Sequence, residues 1–487
     1  MKGGSVTVFF AMILTMLCTL FFSMSETIRI LGMQNRSKVI TREALASVCS
    51  EYQPYLWEAY QILALDGAYG SEEFRGGKVE NRMGEFCQNN CDGEKGLFQM
   101  EPTNCQLKEY CLLTDGDGAV FMQKAAKMAK QKISREKLQQ WREGLCSLGG
   151  NDDYDIGAES QVEAAKQALE QPVSETNQEE TEASAQANQA VVPIYDNPFD
   201  VFKEIKEKGW LGIVTEGREL SHESMTTEGA VSNRILQQGT EDRSVVTDEE
   251  GINLWFYEWY LLDVFEHYGQ QTKGDGLAYQ VEYIIAGKSS DIDNLETVIS
   301  HLLAMRQVEN ALTITSNHGM LQQAYQLALT LAGASANPAV IQVVQAAVVA
   351  VWALVESILD VRRLLEGGKV ALVKTAEQWT SQLYSLTAYI APSQKAKEAE
   401  RGITYVHYLA SQLFMMNKKA LGLRPLDLME ADLRRQDGFE NVRMDQMICS
   451  MEVMCTYQSY PVFLSIFGTE DFSRNWYAYE CGDTMAY

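Results

Sequence analysis

Basic residues are scarce in this 487-residue chain: 41 Lys plus Arg stand against 66 Asp plus Glu, a net charge of -25. Neutralising phosphates supplies most of the affinity of nucleic-acid binders, so a surface of this sign excludes a nucleic-acid partner. The same charge keeps the folded parts off anionic lipid headgroups. Histidine is scarcer still. The five present, His222, His267, His301, His318 and His407, include no H-E-x-x-H pair and no two at metal-ligand spacing on one helix. There is no Walker A loop, since EGGKVAL around Lys369 lacks the leading glycine and the following Ser or Thr. Neither G-x-S-x-G nor a G-x-G-x-x-G after a strand occurs, and no repeat of fixed period is visible. DGDG at 115–118 begins as a calcium loop does, but the third ligand position and the closing Glu are missing, so a turn is expected there. With no nucleophile, metal or phosphate constellation, the expectation is a non-enzyme without cofactor, metal or small-molecule substrate.

What the chain does have is an uncharged opening run, Gly3 to Ser25, in MKGGSVTVFFAMILTMLCTLFFSMSETIRIL. A bilayer core of about 30 Å takes roughly 20 helical residues. A cleaved signal has a shorter apolar centre of about 7–15 residues and a small-x-small cleavage site. No A-x-A pattern ends this run, so an uncleaved single-pass anchor in the cell membrane is expected. Arg29, Arg36, Lys38 and Arg42 follow it, which by the positive-inside rule holds the distal side in the cytoplasm. Long domains cross largely regardless of charge, and Glu26 and Glu43 lie among these bases, so charge alone leaves the orientation open.

Beyond the anchor, Leu45, Val48, Tyr52, Leu56, Ala59 and Leu63 recur at three- and four-residue spacing, an apolar stripe that packs on the protein's own core. Pro54 interrupts it and predicts a kink or a fresh helix start. Residues 67–150 read as a loop-rich, cysteine-containing segment with helices near 119–132 and 134–145. Residues 151–192 carry ten acidic residues against Lys166 alone and no aromatic after Tyr154, the composition of a disordered linker or insertion, with a transient helix expected over QVEAAKQALEQ (161–171). The rest, 193–487, reads as an α+β ectodomain, mainly helical with a small antiparallel sheet. The aromatic run 254–268 predicts a buried helix, 277–287 a strand, and 293–310, 320–332, 338–365 and 370–386 helices. Helices at 402–416 and after Pro425 and a strand at 444–462 follow, the strand pairing with 277–287. The 338–365 helix is apolar enough to span, but Gln342, Gln345, Glu356 and Asp360 make it a soluble core helix, since carboxylates are expensive in lipid. Glu282, Lys288, Arg306, Glu356, Asp360 and Lys374 take structural roles first. Glu356 and Asp360, four apart, are expected to pair with nearby bases at the polar end of their helix.

Of ten cysteines, nine lie outside the apolar run, so an odd thiol is left over in a monomer. Cys87, Cys91, Cys105 and Cys111 fall within 25 residues at C-x3-C and C-x5-C spacing. Such thiols can bind zinc, although the gaps are looser than the usual x2 knuckle. In an exported segment the expected state is one or two disulfides among these four, with unpaired thiols and zinc as the alternatives. Cys449 and Cys455, six apart on a strand, face the same side and belong to the core.

Two blocks carry a resemblance. The opening, GGSVTVFFAMIL followed by SETIRI and REALASVCSEYQPYLWEAYQILALD, resembles TadE/TadG-like proteins of the tight-adherence (Flp) pilus system. VEYIIAGKSSDIDNL (281–295), AMRQVENAL, WALVESILDVRRLLEGGKVALVK (352–374) and RGITYVHYL resemble an uncharacterised family of Gram-positive, mostly clostridial, proteins encoded near such pilus genes. The resemblance implies an N-in, C-out topology, TadE-like or other pilus-assembly proteins as partners, and a role in assembling, anchoring or decorating a pilus. It assigns no catalytic residue. Pilin-type precursors carry Glu at the fifth position after the cleaved glycine, and the fifth residue after Gly4 is Phe9. The implied role is therefore an uncleaved, pseudopilin-like anchor; the alternative is an anchored extracellular binding or sensing module unrelated to pili.

Overall fold

The computed structural model describes residues 3–71, 73–92, 96–134, 137, 139, 141, 157–170, 196–215, 217–240, 252–270, 276–333, 337–467 and 476–487. Among them the chain is mainly helical with one small antiparallel sheet, the α+β class expected. In chain order the elements begin α1 (Gly3–Cys49), α2 (Pro54–Tyr60), β1 (Leu65–Asp66), α3 (Gly76–Asp92), β2 (Glu101–Leu112) and α4 (Ala119–Lys132). Next come α5 (Gly157–Glu170), α6 (Pro198–Lys208), α7 (Trp210–Thr215), α8 (Ile252–Val264), α9 (Gln280–Ala286), α10 (Asp291–Ser316), α11 (His318–Ala332) and α12 (Pro338–Leu365). The chain closes with α13 (Leu386–Ile390), α14 (Tyr405–Met415), α15 (Lys418–Arg434), β3 (Met447–Ser459) and β4 (Tyr477–Ala486). These elements fall into two units built from separated stretches, 1–128 with 229–254 and 425–487, and 129–228 with 255–424. The division cuts across the segments expected from composition, because the cysteine segment shares a sheet with the C-terminal strands.

The first unit is organised by β3. It pairs antiparallel with β2 along one edge, from Gln458 opposite Glu101 to Ile448 opposite Leu112, and with β4 along the other, from Ser459 opposite Tyr477 to Ser450 opposite Ala486. β1 adds a short pairing at Met447 and Ile448. Strand period two sends Met451, Val453, Cys455 and Tyr457 to one buried face. Met33, Ile40, Ala44, Leu45 and Val48 of α1, with Val79, Met83, Cys87 and Cys91 of α3, join that face in one core. Gly32 is required where α1 is crossed by Phe98, whose ring lies 2.4 Å from where a Cβ would stand. α1 ends before Pro54, and α2 starts afresh there with Gln53 as its cap. Of the stripe expected across this break, Leu45, Val48 and Leu56 are buried while Ala59 is exposed.

The N-terminal half of α1 has no such cover. Val6, Phe9, Phe10, Met12, Leu14, Leu17, Leu20 and Phe21 are all exposed, and this helix is long and apolar enough to cross a membrane. At 1.5 Å per residue, residues 5–25 span about 31 Å, the thickness of a bilayer core. Where the bare half meets the packed half, Glu26 and Arg29 form a buried ion pair at 2.7 Å. Arg29 also donates to Ser459 Oγ and Tyr460 O, and Glu26 accepts from the amides of Val462 and Phe463. The pair fastens the chain leaving β3 to the point where the apolar run ends.

The second unit is a helical assembly around α12. Most of α12 beyond Ala347 is buried, so it is a core helix that also passes the length and hydropathy test for a span. Asn317, which caps the start of α11 by accepting from Gly319 and Met320, is all that separates α10 from α11. Arg362 reaches out of α12 to the carbonyls of Ile213, Ile390 and Ala391, ordering the chain around α13.

Four expectations are corrected. Residues 280–286 form a helix, not a strand, and do not pair with β3; four consecutive residues, Val281 to Ile284, are buried and Gly287 closes the turn at φ +70. A short apolar run bounded by glycine serves either state, and β2 takes the place at β3. Residues 370–386 are not a helix, for a reason given below. Residues 67–150 hold a 17-residue helix and a 12-residue strand where loops were expected. Within 151–192, residues 157–170 form α5, with Ala158, Val162 and Ala165 buried, and the remainder lies outside the described residues. So does most of the helix expected at 134–145.

Candidate functional site

Three cysteines from distant parts of the sequence meet in the first unit. Cys105 on β2 stands opposite Cys455 on β3, and Cys455 stands opposite Cys481 on β4. Directly opposed residues in antiparallel strands share a face, so the three thiols form a row beneath the helical layer. Cys87 on α3 lies over this row, its Sγ 3.9 Å from both Cys105 Sγ and Cys455 Sγ. All three sulfurs of Cys87, Cys105 and Cys455 lie within 4.8 Å of one another and are buried. Tyr457 Oη donates to Cys87 Sγ at 3.3 Å and is itself 2.8 Å from Thr41 Oγ1. Cys481 Sγ sits 2.8 Å from Ser37 Oγ.

Hydrogen bonds from Cys105 and Cys455, joined by Tyr457, pull the Cys87 thiol to about 4 against its burial. Cys455 draws Cys105 down, but the Cys87 sulfur and burial push it up to about 12. Cys455 is raised by its contacts with both partners and by burial. Of the three thiols, Cys87 is the one its neighbours pull down, while Cys105 and Cys455 are pushed up.

The sequence pointed to Cys87, Cys91, Cys105 and Cys111. The structure brings Cys87 and Cys105 together and adds Cys455, 368 residues beyond Cys87. Cys91 lies one turn further along α3 in the same core, and Cys111 is buried near the other end of β2 beside Cys449, whose Sγ bonds Cys111 O at 3.4 Å. None of the described cysteines is in a disulfide. Cys146 lies outside the described residues. No spacing rule could have found Cys455, because its place is set by strand register and not by local sequence. The DGDG turn places Asp115 where its carboxylate accepts from the amides of Leu112 and Gly239, so its oxygens serve the backbone.

The second unit holds a buried charge network. Arg306 of α10 donates from Nε and Nη2 to Asp360 Oδ2 at 3.0 and 2.8 Å, and it also bonds Tyr408 Oη, Leu372 O and Glu309. Lys374 pairs with Glu356 and lies 2.5 Å from Asp360 Oδ1. Glu356 further accepts from the amides of Thr380 and Ser381. Glu356 and Asp360 therefore do not pair with bases on their own helix, as expected from spacing. They point into the core and bind Arg306 and Lys374, all four being buried. This is why residues 370–386 are not helical: Glu356 takes the amides of 380 and 381, and Val370 bridges to Ile403. Of the other two residues singled out, Glu282 accepts from Tyr405 Oη at 2.7 Å and from Tyr268 N. Lys288 takes part only through its backbone, with Asn294.

Glu258 on α8 was not legible in the sequence. It is fully buried, and neither carboxylate oxygen has a partner among the described residues. Its burial pushes the carboxyl up to about 8. One groove of about 390 Å³ opens between α5, α10, α11 and α12, edged by Gln161, Gln307, Thr315, Gln342 and Gln345.

Comparison with known proteins gives one family. The model of a family of unknown function (DUF5702) matches residues 188–459. No curated protein and no solved structure matches the chain. The matched region takes in α6 to α15 and β3, hence Cys455 and the charge network, and leaves out α1, Cys87 and Cys105. It covers more than half of the sequence, and the chain belongs to the DUF5702 family, a family of unknown function.

Proposed function

We propose that the chain is a non-enzymatic, single-pass membrane component of a tight-adherence (Flp) pilus or a related surface-assembly system, with a pseudopilin-like anchor and its folded units outside the cell. The observation that carries this reading is α1. One uninterrupted helix of 47 residues presents a bare apolar half and a half packed on a sheet. The bare half needs an apolar partner, either lipid or the like helices of neighbouring subunits. No proline or loop separates the two halves, so the first unit is held at a fixed attitude to whatever α1 enters. A component that docks on a membrane assembly needs that rigidity; a tethered domain does not. Arg29, the first of the four bases that follow the apolar run, is buried against Glu26, which weakens the charge argument for a cytoplasmic domain.

The groove, apolar at Val308, Ala311, Leu321 and Val349 with glutamines among its residues, favours a second reading, an anchored extracellular binding module unrelated to pili. Replacing residues 5–25 with an unrelated apolar helix separates the two. A pilus component then stops co-purifying from detergent with TadE-like membrane proteins, although it still reaches the membrane. A binding module is indifferent to the exchange, and unchanged co-purification, or none from the parent chain, would remove the pilus reading.

A further inference from the structure

We propose that Cys87, Cys105 and Cys455 are the thiolate ligands of a structural zinc site. Sulfurs around tetrahedral zinc, at a Zn–S bond of about 2.3 Å, are about 3.8 Å apart. The two separations from Cys87 are 3.9 Å, and the third is no more than 4.8 Å. The point equidistant from all three therefore lies about 2.3–2.5 Å from each, the length of a Zn–S bond. A disulfide would need two of these sulfurs at about 2.05 Å and would strand the third.

The ligands come from rigid elements. β2 and β3 hold Cys105 and Cys455 in register, and α3 sets Cys87 above them. Cys91 follows Cys87 by one helical turn and is buried in the same core, outside the trio whose sulfurs lie within 4.8 Å of one another. Three thiolates are a soft donor set that selects zinc, and the fourth tetrahedral position is left to a further ligand. Zinc displaces the thiol protons to solvent as it binds. The bound ion would tie the 76–112 segment to the C-terminal strand.

The test uses the full chain in detergent, purified without chelator. Zinc content is expected at one per chain, falling below about a tenth in Cys87→Ser, Cys105→Ser and Cys455→Ser and unchanged in Cys18→Ser. Because these variants can misfold, the wild-type protein is also stripped and refilled with Co(II), which should develop intense thiolate-to-metal charge-transfer absorption in the near ultraviolet. The proposal falls if wild-type protein supplied with zinc holds none, if the three serine variants keep it, if cobalt gives no such band, or if mass analysis finds two of these cysteines joined in a disulfide.

Discussion

Asp360→Asn should cost the second unit about 3–5 kcal/mol, the usual price of breaking a buried ion pair from one side. The substitution keeps the shape of the side chain and removes its charge. Arg306, which sends two nitrogens to Asp360 Oδ2, and Lys374 would then share only Glu356 and Glu309. Neither cation can reach water, since both side chains are buried. Asn310, which now donates to the same oxygen at 2.9 Å, gives no charge in return. Burial alone would raise the Asp360 carboxyl, but Arg306 and Lys374 outweigh it and hold it below the usual range. A depressed carboxylate contributes stability above its unfolded value of about 3.9 and loses it as pH falls through the folded value. The loss in Asp360→Asn should therefore be constant from about pH 5 upward and shrink toward acid. Thermal or urea unfolding of both proteins at several pH values measures it, and a difference under about 1 kcal/mol at pH 7 would contradict the network's role.

Glu258→Gln is expected to act in the opposite direction and to remove a pH dependence. A fully buried carboxyl without a partner among the described residues is held protonated, burial pushing it up to about 8. A raised carboxylate pKa means that the folded state binds more protons than the unfolded one between about pH 4.3 and 8, so stability falls as pH rises through that window. Summed over the window this amounts to a few kcal/mol, of which about 1 kcal/mol is lost between pH 7 and 8. Glu282 adds a fall of the same sign, since burial pushes it up to about 7 although Tyr405 and the Tyr268 amide oppose that. His267 and His407, lowered chiefly by burial, act the other way, but only up to their unfolded value of about 6.5. Glu282 and the lowered Cys87 thiol also change stability between pH 7 and 8, but they are common to both proteins, so the difference between wild type and Glu258→Gln isolates Glu258. From pH 7 to 8 the wild-type midpoint of unfolding should drop relative to that of Glu258→Gln; parallel curves would show that the carboxyl is ionised or paired.

The helical frame was legible because its signals are long. The 28-residue α12, started by Pro338 and stopped at Gly367 and Gly368, is found by apolar content and punctuation alone, and so are α10, α11 and α14. The sheet was half legible. β3 alternates cleanly, but β2 reads E-P-T-N-C-Q-L-K-E-Y-C-L and buries little more than its cysteines and last residue. An edge strand with one wet face looks like a loop in composition. The thiol cluster was half legible for the same reason, since Cys87 and Cys105 are neighbours in sequence and Cys455 joins them only through the pairing of β2 with β3. The charge network was visible as residues and not as partners. Glu356 and Asp360 sit on a helix where spacing points to neighbours four residues away, yet burial turns both toward α10 and the chain after α12. Glu258 gave no signal, because a carboxylate inside an aromatic run looks like the polar face of any helix.

The central claim is that α1 crosses the membrane and leaves the folded units outside. The described cysteines beyond Cys18 are buried, so a single reporter thiol can be read against them. Ile235 is 95% exposed, and Ile235→Cys places a thiol on the first unit where reagent can reach it. Intact cells carrying this variant are treated with a membrane-impermeant maleimide, before and after lysis. Because Cys146 lies outside the described residues, the comparison is made in a Cys146→Ser background, where position 235 is expected to label fully on intact cells and the chain without Ile235→Cys is not. Labelling of Ile235→Cys only after lysis would place the domain in the cytoplasm and contradict it.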